Sequence, residues 1–178
     1  MGKVRIIGGI HRSRILRFKD ELAIRPTPDR VRETLFNWLG QDLTGKTCLD
    51  LFAGSGALGF EALSRNAKQV IMVEKNPAVL KDLRLNQELL GVTNLEVSGR
   101  HALNYLEQCS QSFNVIFLDP PYTSDLLTNS LKLISNGAQL KAGGVLYIEY
   151  QTPPSIEGYT VLKQGLAGNV HFALIASK

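Results

Sequence analysis

The chain has 178 residues, 44% hydrophobic and 20% charged, a composition that fits one compact globular domain with a small appendage. No stretch approaches the roughly 18 apolar residues of a membrane span, and Met1 to Arg5 do not open a secretory leader, which predicts a cytoplasmic protein. The formal charge of +4 is uneven: residues 1 to 32 hold nine Lys/Arg against three acids, the other 146 eleven against thirteen. A basic arm on a mildly acidic body points to a polyanionic partner met through the arm. Cys48 and Cys109 have neither metal-ligand spacing nor an evident pairing, so reduced thiols and no metal site are expected.

In chain order, the alternating runs at 4 to 7 and 14 to 18 flank Gly8-Gly9-Ile10-His11 and predict a hairpin. Its polar positions carry Arg5, Arg12, Arg14 and Arg17, giving the ribbon a basic face. Thr27-Pro28-Asp29 has the order of an N-cap, an N1 proline and a first-turn acid. Val31, Leu35 and Trp38 or Leu39 then share one helical face that should pack on the body.

From Lys46 on, strands and helices alternate: 47 to 52, helix 57 to 65, 70 to 74, helix 77 to 90, 94 to 97, helix 101 to 108, and 114 to 118. A segment at 125 to 139 and strands at 144 to 150, 159 to 164 and 171 to 176 complete the series. Such alternation predicts an α/β domain with a largely parallel sheet. The last two strands are separated by only about six residues, too few for a crossover helix, so they should form an antiparallel hairpin.

Gly54-Ser55-Gly56-Ala57-Leu58-Gly59 is a G-x-G-x-x-G turn between a strand and its helix, and Glu74 ends the following strand. The pattern alone suits a dinucleotide dehydrogenase as well as an S-adenosylmethionine enzyme. Asp50, at the end of the first body strand, separates the two. A pyrophosphate about 4 Å away would be repelled by about 4 kcal/mol at an effective dielectric near 20. S-adenosylmethionine brings an ammonium and a sulfonium instead, so the acid favours the methyl donor. Glu74 can accept from ribose hydroxyls. After the third strand stands Gly99-Arg100-His101, with no acid to face an adenine; backbone groups or His101 are the candidates there.

The strand ending at Leu118 runs into Asp119-Pro120-Pro121-Tyr122, at the sheet edge where open α/β folds place their chemistry. The motif suits methylation of a conjugated exocyclic amine, a poor nucleophile until its nitrogen is rehybridised. Two acceptors facing its two N–H bonds do this, and the Asp119 carboxylate with the Pro120 carbonyl can supply them. The prolines remove competing backbone donors and stiffen the turn, and Tyr122 offers a face for a base drawn out of its stack. Asp119 can also relay the proton lost after transfer.

With D-L-F-A-G-S-G at 50 to 56, D-P-P-Y at 119 to 122 and R-P-T-P-D-R-V-R-E-T-L-F-N at 25 to 37, the chain resembles the RsmD family of 16S ribosomal RNA guanine-N2 methyltransferases over nearly its whole length. The resemblance implies a class I methyltransferase fold: seven strands in the order 3-2-1-4-5-7-6, the last antiparallel, preceded by a hairpin extension. Together with the strand series that begins at Lys46, this predicts a catalytic domain over 46 to 178 and an RNA-binding extension over 1 to 45. The resemblance further implies methyl transfer from S-adenosylmethionine to N2 of one guanine in 16S ribosomal RNA, free or in a small-subunit particle, by a monomer without metal. Asp50, Phe52, Gly54, Ser55, Gly56 and Glu74 are then expected at the donor site, and Asp119, Pro120, Pro121 and Tyr122 at the acceptor; Arg100 and His101 are expected at the donor site from their place after the third strand, not from the resemblance. Arg5, His11, Arg12, Arg14, Arg17, Arg25, Thr27 and Arg32 are expected to meet RNA, with closure over the donor a second possible task for Arg25 and Thr27. Two alternatives stand beside this: an adenine-N6 DNA methyltransferase using the same acceptor motif, and a non-catalytic RNA-binding assembly protein.

Overall fold

The computed structural model describes residues 2 to 19 and 26 to 178. A two-stranded ribbon, β1 (Gly2–Arg5) and β2 (Ile15–Phe18), is followed by helix α1 (Asp29–Trp38). Then come β3 (Thr47–Asp50), α2 (Ala57–Ser64), β4 (Gln69–Val73), α3 (Pro77–Leu90), β5 (Leu95–Ser98), α4 (Ala102–Gln108) and β6 (Phe113–Leu118). The chain ends with α5 (Leu126–Asn136), β7 (Leu140–Tyr150), β8 (Tyr159–Ala167) and β9 (Val170–Ser177). The seven-stranded sheet has the order β5-β4-β3-β6-β7-β9-β8, parallel from β5 to β7, with β9 antiparallel to both its neighbours. This is the class I methyltransferase arrangement expected above.

Alternation along the strands feeds two cores. Cys48, Val70, Met72, Val115, Phe117 and Tyr147 face one side, with α2, α3, α1 and the ribbon. Leu49, Ile71, Val73, Ile116, Leu118, Leu146 and Ile148 face the other, with α4 and α5. Strands buried on both faces are apolar at nearly every position, which is why they read as continuous runs. The β8–β9 connection is tighter than expected: both strands extend to leave only Gly168 and Asn169 between them. Antiparallel pairing survives the shift because a two-residue turn closes a hairpin as well as a longer loop does.

The described residues of the 1 to 45 segment, 2 to 19 and 26 to 45, pack into this core rather than hang from it. Val4, Ile6, Leu16 and Phe18 of the ribbon region and Val31, Leu35 and Phe36 of α1 are buried in the same cluster as β3, β4 and β6. Trp38 stacks on Phe172 of β9 with ring centroids 5.4 Å apart. Polar clamps hold the ribbon to two helices. The backbone N–H groups of Ile7 and Gly8 donate to the Glu61 carboxylate of α2 (2.9 and 2.8 Å), and those of Arg17 and Lys19 donate to Asn86 and Asp82 of α3 (3.1 and 2.9 Å). Ser64 adds a third point of attachment, its hydroxyl accepting from the His11 N–H (2.9 Å) and its carbonyl from that of Ile10 (2.7 Å).

Two expectations for this region are corrected. Arg32 does not face RNA: it is fully buried on the inner face of α1, since it lies three and four positions before Leu35 and Phe36. Its guanidinium pairs with Glu61 (3.3 Å) and Asp29 (2.6 Å) and donates through Nε to the Thr27 carbonyl (3.1 Å). Glu61 also binds Arg65 (2.9 Å), whose guanidinium lies over the Phe36 ring, so two buried cations share one buried acid with the ribbon backbone. Nor is Thr27 the N-cap of α1. The helix begins at Asp29 with Pro28 preceding it and no side-chain cap, because the Thr27 hydroxyl is directed inward to two carboxylates.

Candidate active site

A cleft of about 700 Å³ opens along the carboxyl ends of the parallel strands, at the point where the strand order reverses between β3 and β6. Among the described residues, Asp50, Phe52, Gly54, Ser55 and Glu74 line one part, Arg100, His101 and Leu103 an edge, and Asp119, Pro120, Pro121 and Tyr122 the far wall. The expected donor and acceptor residues thus share one cavity, Gly56 standing just behind its wall as the N-cap of α2. Strand parity assembles the acids. Asp50, Asp119 and Glu149 lie two residues beyond Cys48, Phe117 and Tyr147, which face the same core from three adjacent strands. All three carboxylates therefore reach the same side of the sheet end.

The glycine turn is shaped by backbone strain that only glycine relieves. Gly56 caps α2 at φ 77°, and a Cβ there would lie 2.7 Å from the Phe60 ring and 2.8 Å from Leu83. Asp50 braces the turn from below, accepting from the N–H of Gly59 at 3.0 Å. Glu74 braces it from the side, accepting from the N–H groups of Gly54 (3.2 Å) and Asn76 (2.8 Å). Each carboxylate oxygen of Glu74 retains a lone pair, so these bonds leave it able to accept from a diol in the cleft. Arg100 and His101 are exposed at the rim, with Arg100 donating to Gln108 (3.3 Å) and the His101 side chain making no cap bond.

Burial pushes the Asp50 carboxyl up to about 7, with the Glu74 charge adding to the effect and the N–H bonds of Gly59 and Phe52 opposing it. A folded-state value above the unfolded one means the folded protein binds the extra proton, so stability falls as pH rises from about 4 to about 7. The empty protein should lose melting temperature over that window. Asp50→Asn should flatten the loss by up to about 4 kcal/mol, measured by calorimetric melting across pH. An unchanged pH slope in the variant would show that Asp50 does not carry this linkage.

At the Asp119 end of the cleft the sequence reading overlooked Glu149. This buried acid on β7 accepts from the hydroxyls of Tyr147 (2.7 Å), Tyr122 (3.2 Å) and Thr27 (3.2 Å). The same Thr27 hydroxyl lies 3.5 Å from Asp119. Burial raises the carboxyls of both Asp119 and Glu149, and their proximity raises Asp119 further. Tyr122 projects partly into solvent at the mouth, and Ser124 ties down the Pro121 carbonyl through its N–H (3.2 Å) and hydroxyl (2.7 Å). A signal for Glu149 was present: an acid two positions after Tyr147 in a strand otherwise apolar on that face.

Arg5, Arg12, Arg14 and Arg17 are exposed on and around the ribbon, with Arg5 3.6 Å from Asp29, and His11 is partly buried. Burial and the neighbouring Arg14 charge lower the His11 imidazole below its usual range. Arg25 lies outside the described residues. Among the described residues no group of three or more His, Cys, Asp or Glu side chains is arranged to hold a metal, and no helix is long and apolar enough to cross a membrane.

The family model described as Conserved hypothetical protein 95 matches residues 4 to 176. The ribosomal RNA small subunit methyltransferase D of Escherichia coli is 38% identical over 177 residues, covering 97% of this chain and 89% of that one. Its counterpart in Haemophilus influenzae is 39% identical over 180 residues, covering 97% and 93%. The solved structure of yhhF from Escherichia coli superposes with a TM-score of 0.91 at 36% identity, covering 99% of both chains. Matched by this family model over nearly its whole length and by these relatives at 38 to 39% identity, the chain belongs to the RsmD family of small-subunit ribosomal RNA methyltransferases.

Proposed function

We propose that this protein transfers a methyl group from S-adenosylmethionine to the exocyclic N2 of a guanine in 16S ribosomal RNA. The observation that carries the reading is the shared cleft, which sets the glycine turn and the Asp119-Pro120-Pro121-Tyr122 wall face to face. The cleft fits the donor: three acids line or flank a mostly apolar cavity, a poor place for a phosphate and a good one for a cationic nucleoside. Glu74 would hold the ribose hydroxyls, the turn at Gly54 to Gly56 the amino-acid portion, and Phe52, Ala102 and Leu103 the adenine. When bound, S-adenosylmethionine supplies an electrophilic methyl on a sulfonium. Asp119 and the Pro120 carbonyl orient the guanine amine through its two N–H bonds, and Tyr122 covers the extruded base.

The ribbon supplies the docking surface. Its exposed arginines are held in fixed register by Glu61, Asn86 and Asp82, so little ordering entropy is lost on binding. A monomer in the cytoplasm acting on a preformed small-subunit particle suits this arrangement, since so short a surface contacts few nucleotides. Neutralising Arg12, Arg14 and Arg17 together should reduce the slope of log affinity against log salt by about 2 to 3. Equal slopes for variant and parent, in filter binding at several salt concentrations, would remove the ribbon from the interface.

Purified protein with labelled S-adenosylmethionine and under-methylated small-subunit particles should label a single guanine, located by mass spectrometry of the digested RNA. Label on adenine in duplex DNA would support the alternative substrate. The absence of label on any nucleic acid would overturn the reading.

A further inference from the structure

Two buried carboxylates on neighbouring strands share one hydroxyl. Thr27 Oγ1 lies 3.2 Å from Glu149 and 3.5 Å from Asp119, and its single proton can serve only one of them. The other two nearby hydroxyls donate to Glu149: Tyr147 at 2.7 Å and Tyr122 at 3.2 Å. Glu149 therefore has the larger share of protein donors for an ionised form, while Asp119, beside it, has a weaker share of the same donors. Among the described residues, the other titratable groups facing the pair are Asp50 from the end of β3, Tyr122 from the turn after β6 and Tyr147 from β7. Burial and the Glu149 and Asp50 charges all raise the Asp119 carboxyl.

We propose that Glu149 is a positioning residue that keeps Asp119 protonated in the empty cleft, so that Asp119 ionises only when the positively charged methyl donor enters. The inference deepens the reading above and rests on it. The cycle balances. Asp119 releases its proton to solvent as the sulfonium charge arrives, and its carboxylate then accepts an N–H of the amine. As the new N–C bond forms and the C–S bond breaks, the sulfur keeps the electron pair and becomes a neutral thioether. The proton displaced from nitrogen passes to Asp119, which returns to its starting state. One proton leaves per turnover, at donor binding rather than at methyl transfer. Glu149 lines no part of the cleft and touches neither reactant; it acts through Asp119, Thr27 and Tyr122.

The test is titration calorimetry of the full-length protein with S-adenosylmethionine in buffers of different ionisation enthalpy, repeated across the neutral pH range. The wild type should release at least about one proton per donor bound at its maximum, the Asp119 proton together with the share that Asp50 carries. Glu149→Gln should bind the donor but release clearly fewer protons than the wild type, because the charge that raises Asp119 beyond the effect of burial is gone; the remainder comes from Asp50 and from burial of Asp119 itself. Tyr147→Phe strips one donor from Glu149 with little change in core volume, so the shared Thr27 and Tyr122 hydroxyls should commit to Glu149, leave Asp119 without their bonds and move the release to higher pH. Should Glu149→Gln not fold, Tyr147→Phe carries the test alone: an unmoved release profile would overturn the inference. Donor binding without proton release in the wild type, or equal release in Glu149→Gln, which would then come from Asp50, would overturn it as well. No donor binding at all would fell the functional reading, and this inference with it.

Discussion

Asp119→Ala should lower the rate of methyl transfer by about 10²- to 10⁴-fold while leaving RNA affinity within about twofold. The carboxylate is asked for two things: to accept an N–H of the amine so that the nitrogen lone pair becomes available, and to take the proton released after transfer. Alanine provides neither, and the Pro120 carbonyl alone cannot hold both N–H bonds. RNA affinity should survive because the exposed arginines of the ribbon are held by a scaffold of Glu61, Asn86 and Asp82 that does not involve Asp119. Single-turnover assays alongside filter binding separate the two effects. A transfer rate unchanged in the variant would contradict the role given to Asp119, and would favour a protein that merely retains the fold.

Glu61→Ala should be the most destabilising single change, by about 3 to 5 kcal/mol. The fully buried carboxylate accepts from two ribbon N–H groups and pairs with Arg32 and Arg65, so its loss strands a buried guanidinium and two backbone donors together. For a domain of this size that corresponds to a fall in melting temperature of roughly 10 °C, read by calorimetry. The damage should also reach the cleft, since Arg32 holds the Thr27 carbonyl and Thr27 bridges Asp119 and Glu149. A folded Glu61→Ala variant should therefore show reduced turnover although Glu61 touches no reactant. A loss below about 1 kcal/mol would mean that solvent or other groups replace the acid, and that the ribbon is not clamped as described.

Most of the cleft wall was legible from residue order because its signals are local. A glycine turn between a strand and a helix, an acid at a strand end and two prolines in a row each act within a few residues of themselves, and their physical meaning does not depend on what packs nearby. The alternation of apolar strands and amphipathic helices was legible for the same reason, and so was the antiparallel end of the sheet, where any short connection forces the chain to reverse. The errors fell where a side chain had a choice of partner. Thr27 ahead of a proline and an acid has the chemistry of a helix cap, yet two carboxylates from distant strands compete for its hydroxyl and win. Arg32 in a basic stretch has the chemistry of an RNA contact, yet its helical phase relative to Leu35 and Phe36 turns it inward.

Residue order was sufficient for the class of fold, the cleft's position at the strand ends and the identity of the glycine turn and Asp-Pro-Pro-Tyr wall. Packing had to settle which charges belong to the interior. Thr27 and Glu149 are 122 residues apart, and Arg32 and Glu61 are 29 apart, so neither pair leaves a trace in any short window. A buried charge is tolerated only where a partner is brought to it, and the partner's arrival depends on strand order and parity across the whole sheet. The uneven charge of the chain thus divides three ways: exposed arginines on the ribbon, a locked Arg32–Glu61–Arg65 cluster beneath it, and three acids gathered at the sheet end.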